Sequence, residues 1–521
     1  MRFNQFAARD FVAHHDRRHE RQTFTFSCQK SQHRHVVHFR NDTRPNASRR
    51  QDTIKASAAI TFHTRKNDGH IGEAFRKLQT LFLPCHRSHQ THRLFREQMT
   101  VPGRFCVPPR GLVREDKVIW NRCHISYLGK FRVRATRATP DRGSALSGGG
   151  QLAKMIARAA TQLGCELVVL DRNANVPAAG AVGRVLVGDW DDPQTLVRLA
   201  REVDVVTLEN EFVDATALGA VESAGHRVFP TAASIALAQD KLIQKQALAS
   251  AGLPVAEFRP VTSREQLVAA ARELGFPVVL KTRRNGYDGK GNFTIRQPEQ
   301  IDEGWLALGG GRHGLLIEAF VPFVRELAVI VTRGCGGETA VYPVVESIQQ
   351  NHICQAVIAP AAVAEEILGR AREIALGAVA AVDGIGSFGV EMFLTRKGDI
   401  MINELAPRVH NSGHYTIEGC ECSQFENHVR AVLGWPLGQT RLLAHAVAMV
   451  NLLGKNRGPG NPKGLSAALA VPGAHVHLYG KATSDVGRKL GHVTALGGTP
   501  ADALETAKRA ADAIYFGENF R

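Results

Sequence analysis

The pattern of hydrophobic and polar positions along this 521-residue chain changes abruptly near Ser147. Residues 1–147 show neither a sustained 3.6-residue nor a two-residue apolar period, and their short apolar pieces lie isolated between charged and histidine-rich runs. Such a segment buries too little apolar surface to offset the entropy of ordering its backbone, so we expect it to be disordered. Beyond it, apolar strands and helices alternate with short links, which predicts an α/β protein.

Residues 148–240 are predicted to form an open parallel sheet. A glycine turn at residues 148–150 leads into a helical pattern that ends at Gly164. Further strands are predicted at residues 166–171, 184–187 and 203–208. The last strand ends in Glu209 and Glu211, and ligands of such sheets bind at the carboxyl ends of the strands. The glycine turn and the two glutamates are therefore candidate ligand contacts.

Two features weaken this interpretation of the glycine turn. The turn lacks the full G-x-G-x-x-G spacing, because Ala153 stands in the last place, so a tight turn needed only for packing explains it equally well. Asp171 ends the next strand and is the acidic residue that could contact the ribose of a dinucleotide. Nothing else supports a dinucleotide site, which therefore stays only possible. The preceding residues 139–147 make a poor strand, and we expect the first strand of the sheet to be truncated or replaced.

The next part of the chain predicts a phosphate-binding hairpin. A strand at residues 276–282 carries Lys281, a glycine-rich polar loop follows, and a second strand returns from Asn292. Backbone amides of such a loop can surround phosphate oxygens, and Lys281 and Lys290 would add positive charge. A solvated hairpin tip would explain the glycines but not a lysine inside an apolar strand.

Two further strands, at residues 315–321 and 326–331, are joined by a bend that contains a proline. Their backbone groups could contact an adenine edge, with Glu326 accepting from ribose hydroxyls. Strand glutamates are commonly just residues of an exposed face, so this alternative stays open.

A pair of carboxylates marks the most informative cluster. After a helical stretch at residues 361–382, two apolar strands carry Glu391 and Glu404 near their middles. Buried acids are costly unless a cation offsets them, and Mg²⁺ usually takes one or two carboxylates plus substrate phosphates. Asn403 could add a neutral oxygen ligand.

A dense polar loop at residues 406–415 follows this cluster, and such loops often carry chemistry. Its Ser412 and His414 lack the G-x-S-x-G context of a hydrolase nucleophile. The C-terminal part predicts strands at residues 446–453 and 475–479 and a last helix near residues 505–514.

Composition separates the two parts of the chain further. The formal net charge is +16, with 44% hydrophobic and 22% charged residues. Residues 1–147 hold 29 of the 65 Lys and Arg, 11 of the 49 Asp and Glu, and 12 of the 22 His, so their net charge is +18 and that of the rest is −2. The nine cysteines form no disulfide framework, which favours a reducing compartment. No apolar stretch is long enough for a membrane span, and no secretory signal pattern opens the chain.

Four interpretations compete for the basic segment. A nucleic-acid-binding arm would need a recognisable module, and a transit peptide would be shorter. A zinc site could be drawn from Cys85, His86, His89 and His92, but the second half of the usual spacing is missing. We favour upstream sequence read through a mis-set start or a shifted frame.

Beyond residue 147 the motifs resemble those of the 5-(carboxyamino)imidazole ribonucleotide synthase family. The resemblance rests on KTRRNGYDGKG at residues 281–291 and NELAPRVHNSGHYT at residues 403–416. Shorter matches lie at residues 148–155, 423–425, 479–481 and 487–489. It implies an ATP-grasp fold with an N-terminal open parallel-sheet domain (148–240), an ATP-grasp domain (241–436) and a small C-terminal domain (437–521).

The resemblance also implies the roles of individual residues. The ATP site would comprise Lys241, Lys281, Gly286, Tyr287, Asp288, Gly289, Lys290, Gly291, Asn292, Glu318, Ala319, Phe320, Val321, Glu326, Gln349, Asn403 and Glu404. Mg²⁺ would be bound by Glu391 and Glu404. The ribonucleotide substrate would contact Gly149, Gly150, Gln151, Glu209, Glu211, Tyr287, Arg408, Asn411, Ser412, Lys481 and Arg488. The catalytic residues would be Tyr287, Asp288, Lys290 and Arg408.

The implied reaction is carboxylation of aminoimidazole ribonucleotide with ATP and bicarbonate, through carboxyphosphate, in a cytoplasmic homodimer with no membrane or nucleic-acid partner. Ser347 and Gln349 stand where many family members have Asn and His, which puts nucleotide selectivity in question. The alternatives are another ATP-grasp ligase that uses a carboxylate such as formate, an inactive homologue, and a nucleic-acid-binding protein built on the basic arm.

Overall fold

The computed structural model describes residues 11–16, 21–27, 34–40, 144–147, 149–286, 291–310, 312 and 314–517. The chain divides into two compact units, residues 1–135 and residues 136–521. In the first unit, three strands form an antiparallel sheet in the order β1-β2-β3: β1 (Phe11–Asp16), β2 (Arg21–Ser27) and β3 (Arg34–Arg40). The four candidate zinc ligands, Cys85, His86, His89 and His92, lie outside the described residues. Disorder stays a prediction for the residues of the segment 1–147 outside its described strands.

The second unit opens with a parallel sheet whose strands follow the order β6-β5-β4-β7-β8. Its elements are β4 (Ser144–Ser147), α1 (Gln151–Gln162), β5 (Leu167–Asp171), β6 (Arg184–Val187), α2 (Pro193–Ala200), β7 (Val205–Leu208), α3 (Ala215–Ser223) and β8 (Val228–Phe229). All residues of β5 and β7 are buried, as strands covered by helices on both faces must be.

The expectation of a truncated or replaced first strand is wrong. Strand β4 lies at the centre of the sheet and pairs with β5 on one side and β7 on the other. Its Leu146 is fully buried among side chains of α1 and β5. Pairing on both edges overrides the weak strand propensity of these four residues, because such propensity depends mainly on context.

A four-stranded antiparallel sheet follows, in the order β11-β10-β12-β9. The elements of this region are α4 (Ala232–Ala238), α5 (Lys241–Ser250), β9 (Phe258–Val261), α6 (Arg264–Leu274), β10 (Val278–Thr282), β11 (Asn292–Ile295), a 3₁₀ turn (Pro298–Gln300), α7 (Ile301–Ala307) and β12 (Leu315–Ala319). Strands β10 and β11 pair antiparallel, which confirms the predicted hairpin.

A nine-stranded sheet forms the largest layer, in the order β18-β17-β13-β15-β16-β19-β23-β21 with β14 paired to β13. Its first half and the helix on it are β13 (Phe323–Arg333), β14 (Thr339–Val341), β15 (Val345–Gln350), β16 (Ile353–Ala359), α8 (Glu365–Ala381), β17 (Gly386–Thr395) and β18 (Ile400–Ala406). Helix α8 packs its buried face against β13, β17 and β18.

The C-terminal strands extend this same sheet, because β19 pairs with β16. The remaining elements are a 3₁₀ turn (Asn411–Gly413), α9 (Thr416–Gly419), α10 (Gln424–Leu433), β19 (Ala446–Leu453), β20 (Gly458–Pro459), α11 (Leu465–Leu469), β21 (Ala474–Leu478), β22 (Thr483–Ser484), β23 (Lys489–Gly497) and α12 (Pro500–Asp512). Helix α12 begins earlier than predicted, because Thr499 caps it by accepting from the Asp502 amide.

None of the described helices is both long and apolar enough to cross a lipid bilayer.

Candidate functional site

The glycine turn is fixed by two carboxylates at the carboxyl edge of the parallel sheet. The Gly149 amide donates to Asp171 Oδ2 at 2.8 Å, and the Ala153 amide donates to Glu209 Oε2 at 3.3 Å. A Cβ at Gly150 would lie 2.5 Å from Glu209 Oε1, so any larger residue there would displace the Glu209 carboxylate. The other Asp171 oxygen accepts from the Asn173 amide at 2.9 Å, so Asp171 connects the glycine turn to the chain that follows β5.

Glu211 and Arg408 form an ion pair between two distant parts of the sequence. Arg408 follows β18, and its Nη2 donates to Glu211 Oε1 at 3.0 Å while its Nε donates to Oε2. Burial alone would raise the pKa of Glu211, but the Arg408 guanidinium holds that pKa below its usual value. Burial raises the pKa of Glu209. The structure thus joins two residues that were predicted to contact the same substrate.

A cavity of about 290 Å³ opens beside this ion pair. Four of the predicted site residues line it, namely Glu211, Lys241, Gly286 and Glu404. Two arginines and two aspartates also line it, namely Arg283, Arg284, Asp191 and Asp214. Side chains from the parallel sheet, the glycine hairpin and strand β18 therefore meet around one space.

Lys281 lies where the four-stranded sheet meets β18. Its Nζ donates to Glu318 Oε2 at 3.0 Å and to Asn403 Oδ1 at 3.2 Å. Glu318 lies opposite Val279 on the paired strand β12, whereas Asn403 belongs to the nine-stranded sheet. The predicted nucleotide lysine therefore contacts the strand that carries the predicted magnesium ligand.

Glu391 and Glu404 are directly opposite each other on paired strands, as the sequence predicts. Burial would raise the pKa of Glu404, but Lys241, which donates to its Oε2, holds that pKa at about 2. Burial and the charge of Glu404 raise the pKa of Glu391 to about 7. His410 Nε2 lies 3.4 Å from Glu391 Oε1, and burial lowers the pKa of His410 to about 3. The surroundings therefore favour the ionised form of Glu404 and the protonated form of Glu391.

The chain between β12 and β13 connects the two antiparallel sheets. Ala319 ends β12 and donates its amide to Glu257 O at 2.8 Å, and the Phe320 amide donates to Pro277 O at 3.3 Å. Val321 is buried. The backbone groups that were predicted to contact adenine thus lie at the point where the chain leaves one sheet for the other.

Glu326 and Gln349 occupy neighbouring strands of the large sheet. Glu326 pairs in register with Ser347, and burial raises the pKa of Glu326 to about 7. Gln349 Nε2 donates to Ser347 Oγ at 3.1 Å. The two residues at which the sequence departs from the family pattern therefore contact each other.

Asn411 and Ser412 are held by neighbouring side chains. The amide groups of Asn411 and Asn451 exchange two hydrogen bonds of 3.0 and 2.9 Å. Ser412 Oγ lies 2.8 Å from His410 Nδ1, while His414 is fully buried against α10. This geometry contains no Ser412–His414 pair, which agrees with the sequence argument against a hydrolase nucleophile.

The remaining predicted residues are placed less centrally. Gly291 and Asn292 close the base of the hairpin, where Gly291 has a φ of +83°. Lys481 precedes β22 in the sequence and Arg488 follows it. Neither is among the described residues that line the cavity. Lys154 Nζ connects α1 to this region by donating to Leu478 O at 3.0 Å. Tyr287, Asp288, Gly289 and Lys290 lie outside the described residues.

Sequence reasoning missed three charged groups and one imidazole of this site. Asp240 accepts from Arg283 Nη2 at 2.7 Å and Nε at 3.0 Å, and it also caps helix α5. Lys245 lies 3.4 Å from Glu318 Oε2, and His410 contacts Glu391. The position of Lys245 one helical turn after Lys241 was a usable signal, since both then share a helix face.

Comparison with known proteins finds three family models along the second unit. An ATP-grasp domain matches residues 246–425, a ribonucleotide synthetase preATP-grasp domain matches residues 145–239, and a phosphoribosylaminoimidazole carboxylase C-terminal domain matches residues 447–506. The expected α/β ATP-grasp fold with a small C-terminal domain is therefore confirmed.

Individual relatives agree with these models. The N5-carboxyaminoimidazole ribonucleotide synthase of Synechococcus elongatus is 42% identical over 69% of this chain and 91% of that protein. The phosphoribosylaminoimidazole carboxylase of Ogataea methanolica is 42% identical over 66% of this chain and 65% of that protein. A crystal structure of N5-carboxyaminoimidazole synthase from Aspergillus clavatus, in complex with ADP and 5-aminoimidazole ribonucleotide, has a TM-score of 0.66 and 36% identity, covering 71% of this chain and 98% of that one.

Proposed function

The chain belongs to the N5-carboxyaminoimidazole ribonucleotide synthase family, and from that premise we propose that it carboxylates the amine of 5-aminoimidazole ribonucleotide in purine (IMP) biosynthesis. It is an ATP-dependent ligase of the ATP-grasp type. ATP and bicarbonate are the proposed co-substrates, and ADP and phosphate are released. The observation that carries the proposal is the 3.2 Å hydrogen bond from Lys281 to Asn403, which brings a nucleotide lysine to the carboxylate-bearing strand.

The donor set around Glu391 and Glu404 fits Mg²⁺. Among the residues that the structure describes, no group of three or more His, Cys, Asp or Glu could hold a metal ion. A pair of facing carboxylates instead suits a cation that completes its shell with phosphate oxygens and water. Burial and repulsion from Glu404 raise the pKa of Glu391, and such a cation would favour the ionised carboxylate instead. When bound, Mg²⁺ would neutralise charge on the transferred phosphoryl group.

The side chains of the protein would bind and orient the nucleotide and bicarbonate. Lys281, held between Glu318 and Asn403, presents a fixed positive charge to the phosphates. Lys241 neutralises Glu404 in this structure and would be shared with the nucleotide. The hairpin that ends at Gly291 would cover the site and keep water from carboxyphosphate, which would otherwise be lost to solvent.

The ribonucleotide would bind on the side of the parallel sheet. Glu211 orients Arg408 through two hydrogen bonds, which leaves the guanidinium restrained for contact with the substrate. Lys481 and Arg488 would approach the substrate phosphate from the C-terminal region. The catalytic roles of Tyr287, Asp288, Lys290 and Arg408 are part of this proposal.

The proposal includes three statements about the whole molecule. The domains would be residues 148–240, 241–436 and 437–521, with the nucleotide bound by the second domain and the ribonucleotide contacted by residues of all three. The protein would be a cytoplasmic homodimer. Sedimentation equilibrium would test the dimer, and a mass that stays that of one chain at micromolar concentration would contradict it.

The decisive assay is ADP release by the purified chain with and without aminoimidazole ribonucleotide, in bicarbonate or in formate. We expect release that requires both the ribonucleotide and bicarbonate. The variant Lys281→Met should abolish it, whereas Lys397→Met, at an exposed lysine in the turn between β17 and β18, should not. Equal release with formate, or release that is independent of the ribonucleotide, would overturn the proposal.

A further inference from the structure

A second buried lysine lies beneath the nucleotide lysine. Lys245 projects from α5, its side chain is 3% exposed, and it is absent from the described lining of the cavity. Its Nζ donates to Ile402 O at 3.2 Å, on the strand next to Asn403. A lysine is rarely buried this completely unless it is paired with an opposite charge.

Lys245 and Lys281 share a single carboxylate oxygen. Glu318 Oε2 accepts from Lys281 Nζ at 3.0 Å and lies 3.4 Å from Lys245 Nζ. The second oxygen, Glu318 Oε1, is buried and has no hydrogen-bond partner within the part of the chain that the structure describes. The side chain of Glu318 is 5% exposed, so all three charges are largely removed from water.

Burial lowers the pKa of Lys245 to about 8, so at pH 7 this lysine is mainly protonated and the three groups carry one excess positive charge. Two ammonium groups face one carboxylate, and burial would raise the pKa of Glu318 if the two lysines did not hold it below its usual value. The neighbouring ion pair of Lys241 with Glu404 is internally balanced. An uncompensated buried charge is costly, and an anion bound at Lys281 would offset it.

We propose that Lys245 is a positioning residue that shares Glu318 with Lys281, so that Lys281 keeps a net positive charge for the polyphosphate of the nucleotide. This inference rests on the proposed function only in requiring that the chain binds ATP. Without Lys245, the whole charge of Glu318 would be opposed by Lys281, and the cluster would present no net charge to the phosphates. Lys245 would then act through Lys281 and never touch the nucleotide.

The competing explanation is that Lys245 only ties α5 to β18 through Ile402. The two roles differ in what repairs the loss of Lys245. If the charge balance matters, removing the carboxylate as well restores one positive charge to the cluster. If the tie matters, the second substitution leaves the defect unchanged or makes it worse.

The test compares Lys245→Gln, Glu318→Gln and the double variant by calorimetric titration with ATP and Mg²⁺. A unit charge removed at about 10 Å changes affinity on the order of tenfold at an effective dielectric constant of about 20. We expect Lys245→Gln to weaken ATP binding on that order, and the double variant to bind within about threefold of the wild type. Glutamine keeps a side-chain donor at this position of α5, which limits the loss of the tie to Ile402 O.

A double variant that binds ATP no better than Lys245→Gln would overturn the inference, as would wild-type affinity in Lys245→Gln. If Lys245→Gln does not fold, Lys245→Met is compared with and without Glu318→Gln; the tie to Ile402 is then lost in both variants, so recovery of ATP binding in the double variant still reports the charge balance. Ribonucleotide-dependent ADP release by the wild type is measured in parallel. Tight ATP binding without such release would refute the proposed function while leaving this inference standing.

Discussion

Replacing Asp240 with asparagine should loosen the base of the glycine hairpin while leaving helix α5 capped. The Asp240 side chain is 5% exposed and accepts two hydrogen bonds from Arg283, of 2.7 and 3.0 Å. It also accepts from the Leu242 amide at 3.0 Å, at the start of α5. Burial would raise the pKa of Asp240, but Arg283 holds it below its usual value, so the group is ionised at neutral pH.

The size of the effect follows from these contacts. Hydrogen bonds to charged groups are worth about 1.5–3 kcal/mol, and asparagine cannot accept both arginine donors as an anion does. Arg283 is 28% exposed, so water compensates part of the loss. We expect Asp240→Asn to lower the free energy of unfolding by about 2 kcal/mol. Asp240→Ala should cost about 1 kcal/mol more, because alanine also removes the helix cap.

Urea unfolding at pH 7 would measure both variants, and ATP titration would measure their effect on the site. Because Arg283 and Arg284 line the cavity, Asp240→Asn should also weaken ATP binding several-fold. Arg283→Met is the matched partner variant, and the two substitutions together should cost less than their sum. The reasoning is refuted if Asp240→Asn unfolds within about 0.5 kcal/mol of the wild type.

Three further predictions concern other parts of the site. Gly150→Ala should lower the thermal unfolding midpoint, because its Cβ would lie 2.5 Å from Glu209 Oε1, and an unchanged midpoint would contradict this. Glu391→Gln should raise the Mg²⁺ concentration for half-maximal ADP release at least about tenfold, and an unchanged Mg²⁺ titration would exclude Glu391 as a ligand. Burial raises the pKa of Glu326 from 4.5 to about 7, so its contribution to stability is full below pH 4.5 and lost as pH rises through 7. Urea unfolding without nucleotide would compare Glu326→Gln with the wild type. The stability of the variant relative to the wild type should increase by at most about 3 kcal/mol between pH 5 and 8. If both proteins show the same pH dependence, Glu326 is not desolvated.

Much of the fold could be predicted from local pattern. Strands β6 and β19 begin and end where the apolar pattern places them, and the β10–β11 hairpin follows its glycine loop. Strand β4 could not be predicted, because its stability comes from pairing with β5 and β7 rather than from its own residues. The assignment of β12 and β13 to different sheets was also hidden, since both are apolar runs separated by a short bend.

Some contacts of the candidate site could likewise be predicted from the sequence, and others could not. The pairing of Glu391 with Glu404 could be predicted because the two strands are consecutive in the sequence. The contact of Lys281 with Asn403 joins residues that are 122 positions apart, and only the resemblance suggested it. The sharing of Glu318 with Lys245 could not be predicted, because it depends on how α5 packs against β18 and brings Lys245 to Glu318.

The pairing of β16 with β19 also constrains how a ribosome can make this protein. Strand β16 ends at Ala359 and its partner begins at Ala446, so the outer edge of β16 is synthesised well before the strand that covers it. At about 5–20 residues per second, that edge stays open for roughly 5–20 s on each nascent chain. An open apolar edge can pair with the edge of another nascent chain on the same messenger. Slower translation between these two strands should therefore reduce the yield of folded protein, and a chaperone that covers the edge should restore it.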